Sequence, residues 1–195
     1  MQISHLYEKC EKMTEYKLIH SQILFDNPYA RVILDTLEYD GVQHPYFYLT
    51  SPVEAVATVS LTGEGCIILT RQYRHPIRQV IYDLPAGHLE PGEEPMQGAR
   101  REFEEETGFY PRHIEKLGYY NQFPGVLQAA TNLYFATDLV RTAQHLEPGE
   151  VLETVHLPVS EVLSMIINGN IIDGSLQLGV LLAFQKGLLV SPCKE

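Results

Sequence analysis

A chain of 195 residues with 45% hydrophobic content can bury a real core and form one main domain with a small appendage, and its composition excludes a disordered protein. Its net charge of −11 opposes long duplex nucleic acid, which is held through many phosphate contacts, but not a small anionic ligand neutralised locally by metal and a few arginines. Cys10, Cys66 and Cys193 lack metal-type spacing, no run of about 18 apolar residues occurs, and the start MQISHLYEKCEK is too polar for a signal peptide, so a cytoplasmic protein without a membrane partner is expected.

In chain order, Lys17 to Leu24 reads as a first strand, stopped by the turn residues Asp26-Asn27-Pro28. Arg31 to Tyr39 is rich in β-formers, Asp40-Gly41 is a hairpin signal, and Pro45 to Thr50 is an aromatic strand. Residues 1–50 are therefore expected to form a small β-rich N-terminal region, with residues 51–195 as the main domain. From Val53, the run VEAVATVSL and the run Gly65 to Leu69 look like a hairpin pair around Thr62-Gly63-Glu64, with Cys66 as a core residue. Arg71 to Arg74 and Val80 to Leu84 then lead into Pro85-Ala86-Gly87.

Pro95 suits a first helical turn and Gly108 the position past the end, which predicts a helix from Pro95 to Thr107. Met96, Ala99 and Phe103 recur at i, i+3 and i+7, a narrow apolar stripe for packing on a sheet. Beyond it, Ile114 to Tyr120 and Asn132 to Thr137 read as strands separated by a loop holding Phe123-Pro124-Gly125. Val151 to Leu157 is a further strand, followed by helices over about Ser160 to Asn168 and Ser175 to Lys186.

The predicted helix concentrates charge. Glu102 lies three residues from Glu105 and four from Glu106, spacings at which like charges destabilise a helix by roughly 0.2 to 0.5 kcal/mol per pair. A hard divalent cation reverses that sign, because Mg²⁺ takes oxygen ligands and a carboxylate face presents them together. Arg101 can reach Glu105 one turn on and a glutamate of the preceding loop, for which Glu93 is the candidate. A charge run alone is commonly a solvated face. The wider register is more specific: Gly87, five residues, Glu93, seven residues, then Arg101, Glu102, Phe103, one residue, Glu105, Glu106, one residue, Gly108 and Phe109. At ordinary residue usage a chance match at a given start is on the order of one in a billion.

This pattern resembles the signature of the Nudix hydrolases, which cleave nucleoside diphosphates linked to another moiety with divalent metal and water. The resemblance implies an α/β fold, the Nudix α/β/α sandwich with a mixed β-sheet, here carrying the N-terminal β-rich region. It implies Mg²⁺, with Mn²⁺ as the alternative ion, held by Glu102, Glu105, Glu106 and the backbone carbonyl of Ala86. Gly87, Glu93, Arg101 and Gly108 would support that box. Pro124, the LPAG at Leu84 to Gly87 and the RQYR at Arg71 to Arg74 resemble the ADP-ribose pyrophosphatase branch, whose substrate is cleaved to AMP and ribose 5-phosphate. NQFPGVLQAATN departs from the commonest form of that branch, which keeps GDP-mannose-type hydrolases of nucleoside diphosphate sugars as an alternative. A non-catalytic nucleotide-sensing Nudix domain is the other alternative.

Within the branch the general base is typically a loop glutamate, here Glu150 first and Glu153 second, with Glu147 also on the segment; Glu105, which would contribute to holding the metal directly or through water, is a further catalytic candidate. Arg74, then Arg71, are the expected phosphate-binding side chains, since an arginine fork suits phosphate oxygens. Tyr29 is assigned to the base, with Tyr46 and Phe47 as other aromatic candidates, and His88 reads as a loop residue. The resemblance also implies a homodimer formed through the N-terminal region.

Overall fold

The computed structural model describes residues 16–51 and 53–189, so Cys10 and Cys193 lie outside the described residues. The elements are β1 (Lys17–Asp26), β2 (Arg31–Tyr39), β3 (Val42–Thr50), β4 (Ala55–Ser60), β5 (Cys66–Arg74), β6 (Gln79–Asp83), β7 (Ala86–His88), α1 (Pro95–Thr107), β8 (Phe109–Asn121), β9 (Leu127–Gln128), β10 (Ala130–Arg141), β11 (Leu152–Pro158), α2 (Val159–Ile167) and α3 (Gly174–Gln185). They divide into two compact units, residues 16–51 with 123–129, and residues 53–122 with 130–189. The segment around Pro124 therefore belongs with the N-terminal strands rather than with the larger part, where the linear sequence had placed it. Its pairing explains why: β9 runs parallel to β3, Leu49 opposite Leu127 and Thr50 opposite Gln128.

The first unit is a sheet in the order β1-β2-β3-β9. Asp40 and Gly41, at φ 49° and 72°, make the two-residue turn whose twist suits a β2–β3 hairpin. Asn27 organises the β1–β2 turn, its Oδ1 accepting from the backbone N–H of Tyr29 at 2.8 Å and of Ala30 at 2.7 Å.

The second unit holds a mixed sheet, β7-β4-β10-β8, and an antiparallel sheet, β11-β5-β6. β4 and β10 run parallel, and their contiguous apolar sequences reflect burial on both faces. Alternation sorts the side chains between two cores. Val56, Tyr134 and Ala136 pack with Ala99 of α1, whereas Ala57, Val59, Leu133 and Phe135 pack with Ile67 and Leu69 of β5 and with Val162, Leu176 and Val180 of α2 and α3. Helices thus cover the mixed sheet on both sides, the α/β/α arrangement.

Three local expectations are corrected. β4 and β5 are not a hairpin pair: the tight turn closed by Gly65 N–H to Thr62 O hands the chain from one sheet to the other, where β5 pairs with β6 and β11. Both strands are too apolar for a two-stranded ribbon with a wet face, so each is drawn into a separate buried layer. Met96 is 42% exposed, and the packed face of α1 is Gly98, Ala99, Phe103, Glu106 and Thr107. Cys66 is half-buried at the start of β5 rather than a core residue.

Pro95 opens α1 and Gly108, at φ 72°, closes it in the left-handed conformation with its N–H on Glu104 O. A Cβ there would also sit 3.1 Å from the Gln144 backbone nitrogen. Gly108→Ala should therefore lower stability by about 1–2 kcal/mol, read from urea unfolding; an unchanged midpoint would refute the account of this cap.

Candidate active site

The site is built around one guanidinium. Arg101 of α1 donates from Nε and Nη2 to the two oxygens of Glu93, at 2.9 and 2.8 Å, and from Nη2 to the carbonyl of His88 at 3.0 Å. Its Nη1 donates to Glu102 at 2.8 Å and to Glu105 at 3.1 Å. Glu93 also accepts the N–H of Glu90 at 3.0 Å, and its carboxyl is held below the ordinary range chiefly by the bonds from Arg101. One fork therefore ties the loop after β7 to the acidic face of α1.

Glu106, one turn beyond Glu102 and on the same side of the helix, lies deeper, against β7. It is 3% exposed and its Oε2 accepts the N–H of Ala86 at 2.9 Å. Burial pushes its carboxyl up to about 9; the Ala86 bond opposes this, and Glu150 and Glu102 add like charge. Glu102 is raised as well, first by burial, with Arg101 pulling it back. A pocket of about 400 Å³ opens over these groups, lined among others by Arg74, Ala86, Gly87, Glu102, Glu105, Glu106 and Glu150. Gly87 matters by what it lacks: a Cβ there would lie 2.1 Å from the Glu102 carboxyl carbon.

Among the described residues no three acidic, histidine or cysteine side chains converge as a ready-made metal cage. Glu102 and Glu105 face Arg101, and Glu106 faces the Ala86 amide. The donor chemistry nevertheless fits a hard divalent cation. Several carboxylates share one pocket, and the most buried of them has like-charged neighbours and a neutral amide as its bonded partner. Glu102, Glu105 and Glu106 are the side chains that could hold such an ion, beside the main chain of Ala86.

A larger cavity, about 800 Å³, lies elsewhere, lined by Leu61, Cys66, Phe109 and His156. Ala55 of β4 lines the acidic pocket while Leu61, just past that strand, lines the larger one, so they lie at opposite ends of β4, about 20 Å apart. Size does not choose between them; the clustered carboxylates and arginines do.

The remaining candidates are dispersed. Arg71 lies three residues from Arg74, an odd step that turns it to the other face of β5. It pairs with Glu153 at 3.0 Å in an adjoining groove, so the two arginines do not converge. Glu153 is likewise outside the acidic pocket, whereas Glu150 lines both pocket and groove. Glu147 and His88 line the acidic pocket. Tyr29, 81% exposed, and Pro124 are in the first unit, with Tyr46, whose hydroxyl donates to the Gly125 carbonyl at 2.7 Å.

Several contributors escaped sequence reasoning. Asp83 is 3% exposed and accepts from Arg74. Gln144 donates to the Glu106 carbonyl at 2.7 Å and Thr154 to the same oxygen at 3.1 Å, while the His145 N–H reaches the Glu105 carbonyl at 2.8 Å. These bonds satisfy carbonyls left open at the C-terminal end of α1 and clamp the segment leading to Glu150. The only available signal was the general one that helix ends need partners, and it names no residue.

A glutamate helix braced by an arginine fork beside a carboxylate-lined pocket, on an α/β/α sandwich, is suited to hydrolysis of a diphosphate with a divalent metal. The family model described as NUDIX domain matches residues 51–174, and the chain belongs to that family. It is similar to a methanol dehydrogenase activator of Bacillus methanolicus, 31% identical over 171 residues, covering 87% of this chain and 92% of the relative. An ADP-ribose pyrophosphatase of Bacillus subtilis is 28% identical over 164 residues, covering 83% and 89%. A solved structure of an ADP compounds hydrolase superposes with a TM-score of 0.81 at 21% identity, covering 90% of this chain and 96% of that one, which shows the shared fold.

The buried Glu106 carries a testable pH signature. Its carboxyl is raised from 4.5 to about 9, so the folded chain holds this proton more tightly than the unfolded chain. That stabilisation is fully present below pH 4.5 and is lost as pH rises through about 9, with a slope of at most about 1.4 kcal/mol per pH unit. In chelator, stability should fall from about pH 6 to about pH 9 more steeply in the parent than in Glu106→Gln. Equal slopes in urea unfolding would contradict the burial argument.

Proposed function

We propose that the protein hydrolyses the diphosphate linkage of ADP-ribose to AMP and ribose 5-phosphate. The observation carrying this reading is that Glu102, Glu105 and Glu106 share one pocket with Arg74 and Glu150. Similarity to an ADP-ribose pyrophosphatase over most of both chains supports the substrate.

In this reading Glu102, Glu105, Glu106 and the Ala86 carbonyl hold Mg²⁺, with Mn²⁺ as the alternative. The ion supplies charge neutralisation and water activation when bound. Glu150 takes the proton of the attacking water, with Glu153 the second candidate and Glu105 assisting. A loop position suits this role, because a base has to reach the water lying over the diphosphate rather than be packed beneath it. Arg74 binds phosphate oxygens through the guanidinium donors that face the pocket. Arg71, on the opposite face of β5, braces the Glu153 strand instead, a role its ion pair supports. Gly87, Glu93, Arg101 and Gly108 keep the carboxylates in place without touching substrate.

The N-terminal strands, residues 1–50 of the sequence division, are assigned to dimerisation and to the nucleotide base, with Tyr29 stacking on the base and Pro124 shaping the loop beside β9. Support for a homodimer is the apolar edge strand β1, whose Leu18, Ile23 and Phe25 are each more than half exposed, at 56%, 54% and 54%. Such an edge invites pairing. A cytoplasmic location accords with an odd number of cysteines that lack metal-type spacing.

A substrate panel of ADP-ribose, ADP-glucose, GDP-mannose and NADH at fixed Mg²⁺ should place ADP-ribose first in kcat/KM. A lead of about tenfold for GDP-mannose, or about 1.4 kcal/mol in transition-state discrimination, would transfer the assignment to nucleoside diphosphate sugars. Glu150→Gln should lose roughly 10²-fold or more in kcat; a loss under about threefold would dismiss Glu150 as the base. Sedimentation should show a dimer that Ile23→Lys with Phe25→Lys dissociates.

A further inference from the structure

Asp83 is a buried carboxylate for which the site described above has no task. Its side chain is 4% exposed, and one of its two oxygens, Oδ1, makes no hydrogen bond of full geometry, the Gln72 side chain being the polar group that stands beside the carboxylate. The other, Oδ2, accepts the Nε–H of Arg74 at 2.7 Å and lies 2.6 Å from its Nη2 in an ion pair. A buried acid with an open oxygen is a liability that an apolar strand residue in the same place would avoid. Its presence there calls for a use.

The hairpin geometry supplies one. Asp83 stands opposite Thr70 and Arg74 opposite Gln79, so carboxylate and guanidinium come from positions four apart along the ladder, and the twist of the hairpin helps bring them together. Thr70, Gln72 and Arg74 share one face of β5 by alternation. Arg74 must therefore lie back along that face, nearly extended, to reach Asp83. Left alone, an arginine at the half-exposed end of a strand samples many rotamers. Here the Nε bond and the Nη2 ion-pair contact to one oxygen hold the guanidinium by one edge and leave the Nη1 edge available to a ligand. A second carboxylate, Asp173, the cap of α3 whose Oδ1 accepts the Leu176 N–H at 2.7 Å, adds negative charge felt by both Asp83 and Arg74. The other arginine of the pocket, Arg101, has its donors committed to Glu93, Glu102, Glu105 and the His88 carbonyl.

We propose that Asp83 is a positioning residue that presents the Arg74 guanidinium to the diphosphate of the substrate. The proposal rests on the reading that this pocket binds a nucleoside diphosphate. It separates stability from affinity: removing the charge of Asp83 relieves the cost of burying a carboxylate while freeing the arginine it aims.

The test uses the full-length protein in Mg²⁺, with ADP-ribose for kinetics, α,β-methylene ADP for calorimetric binding, and thermal unfolding. Asp83→Asn should raise KM for ADP-ribose and Kd for the methylene analogue about tenfold, about 1.4 kcal/mol. Its kcat should stay within about threefold and its Tm should not fall. In an Arg74→Ala background Asp83→Asn should add nothing, because its effect runs through that arginine. Unchanged KM and Kd, or a full additional loss in the Arg74→Ala background, would overturn the proposal. Should Asp83→Asn not fold, Asp83→Thr takes its place, and failure of both to fold would make the residue structural and the proposal wrong. If the parent neither binds the analogue nor turns over ADP-ribose, the reading of the pocket falls and this proposal with it.

Discussion

Everything at the acidic pocket depends on the Arg101 fork. Three glutamates within one turn and a half of helix repel one another, and a fourth arrives from the preceding loop. A single planar cation with five donors in fixed directions meets Glu93, Glu102, Glu105 and the His88 carbonyl at once. Lysine carries the same charge but lacks the fork, so it cannot join loop and helix in one plane. The loop must also lie close against the helix for this to work. Gly98 provides the approach, since a Cβ there would come within 2.4 Å of Leu89 and 2.9 Å of the Glu93 carboxylate.

Glu106 is the counterpart on the inner side of the same helix. Its carboxylate is fastened to Ala86 of β7, and its own backbone carbonyl receives Gln144 and Thr154. One residue thus connects three separate stretches of chain: the strand turn before the box, the segment that leads to Glu150, and β11. This connectivity anchors the chain on either side of the loop glutamate that lines the pocket. It also explains why the helix ends in a left-handed glycine, because the chain must turn at once into β8 while leaving the last carbonyls open to those donors.

Much of this was legible because the motif is local. Helix limits, the glycine cap, the reach of Arg101 to Glu105 and the approximate positions of the longer strands follow from periodicity, turn chemistry and i, i+4 geometry, whereas the short β7 and β9 do not. What the sequence concealed is long-range. That β4 and β5 enter different sheets depends on which partners complete two buried layers, and a short turn between apolar runs reads the same in either case. That residues 123–129 join the first unit depends on the two-residue pairing of β9 with β3, too short to have a pattern. The pairing of Asp83 with Arg74 spans nine residues and a hairpin whose register was unknown until the strands were seen.

The two pocket arginines show how identical side chains come to serve opposite ends. Arg101 is three-quarters covered, at 24% side-chain exposure, and its donors are matched by protein oxygens, so it can strengthen the scaffold but offers a ligand little. Arg74 keeps 46% of its side chain accessible and bonds a single carboxylate oxygen. The difference lies in the partners each strand or helix position supplies. A helix stacks acids every three or four residues and can surround a guanidinium, whereas a β-hairpin presents one neighbour per level and leaves the far edge of the fork open. Placing the saturated arginine on α1 and the open one at the end of β5 gives the pocket a fixed acidic floor and an available cation beside it, the charge arrangement that a metal-bound diphosphate requires.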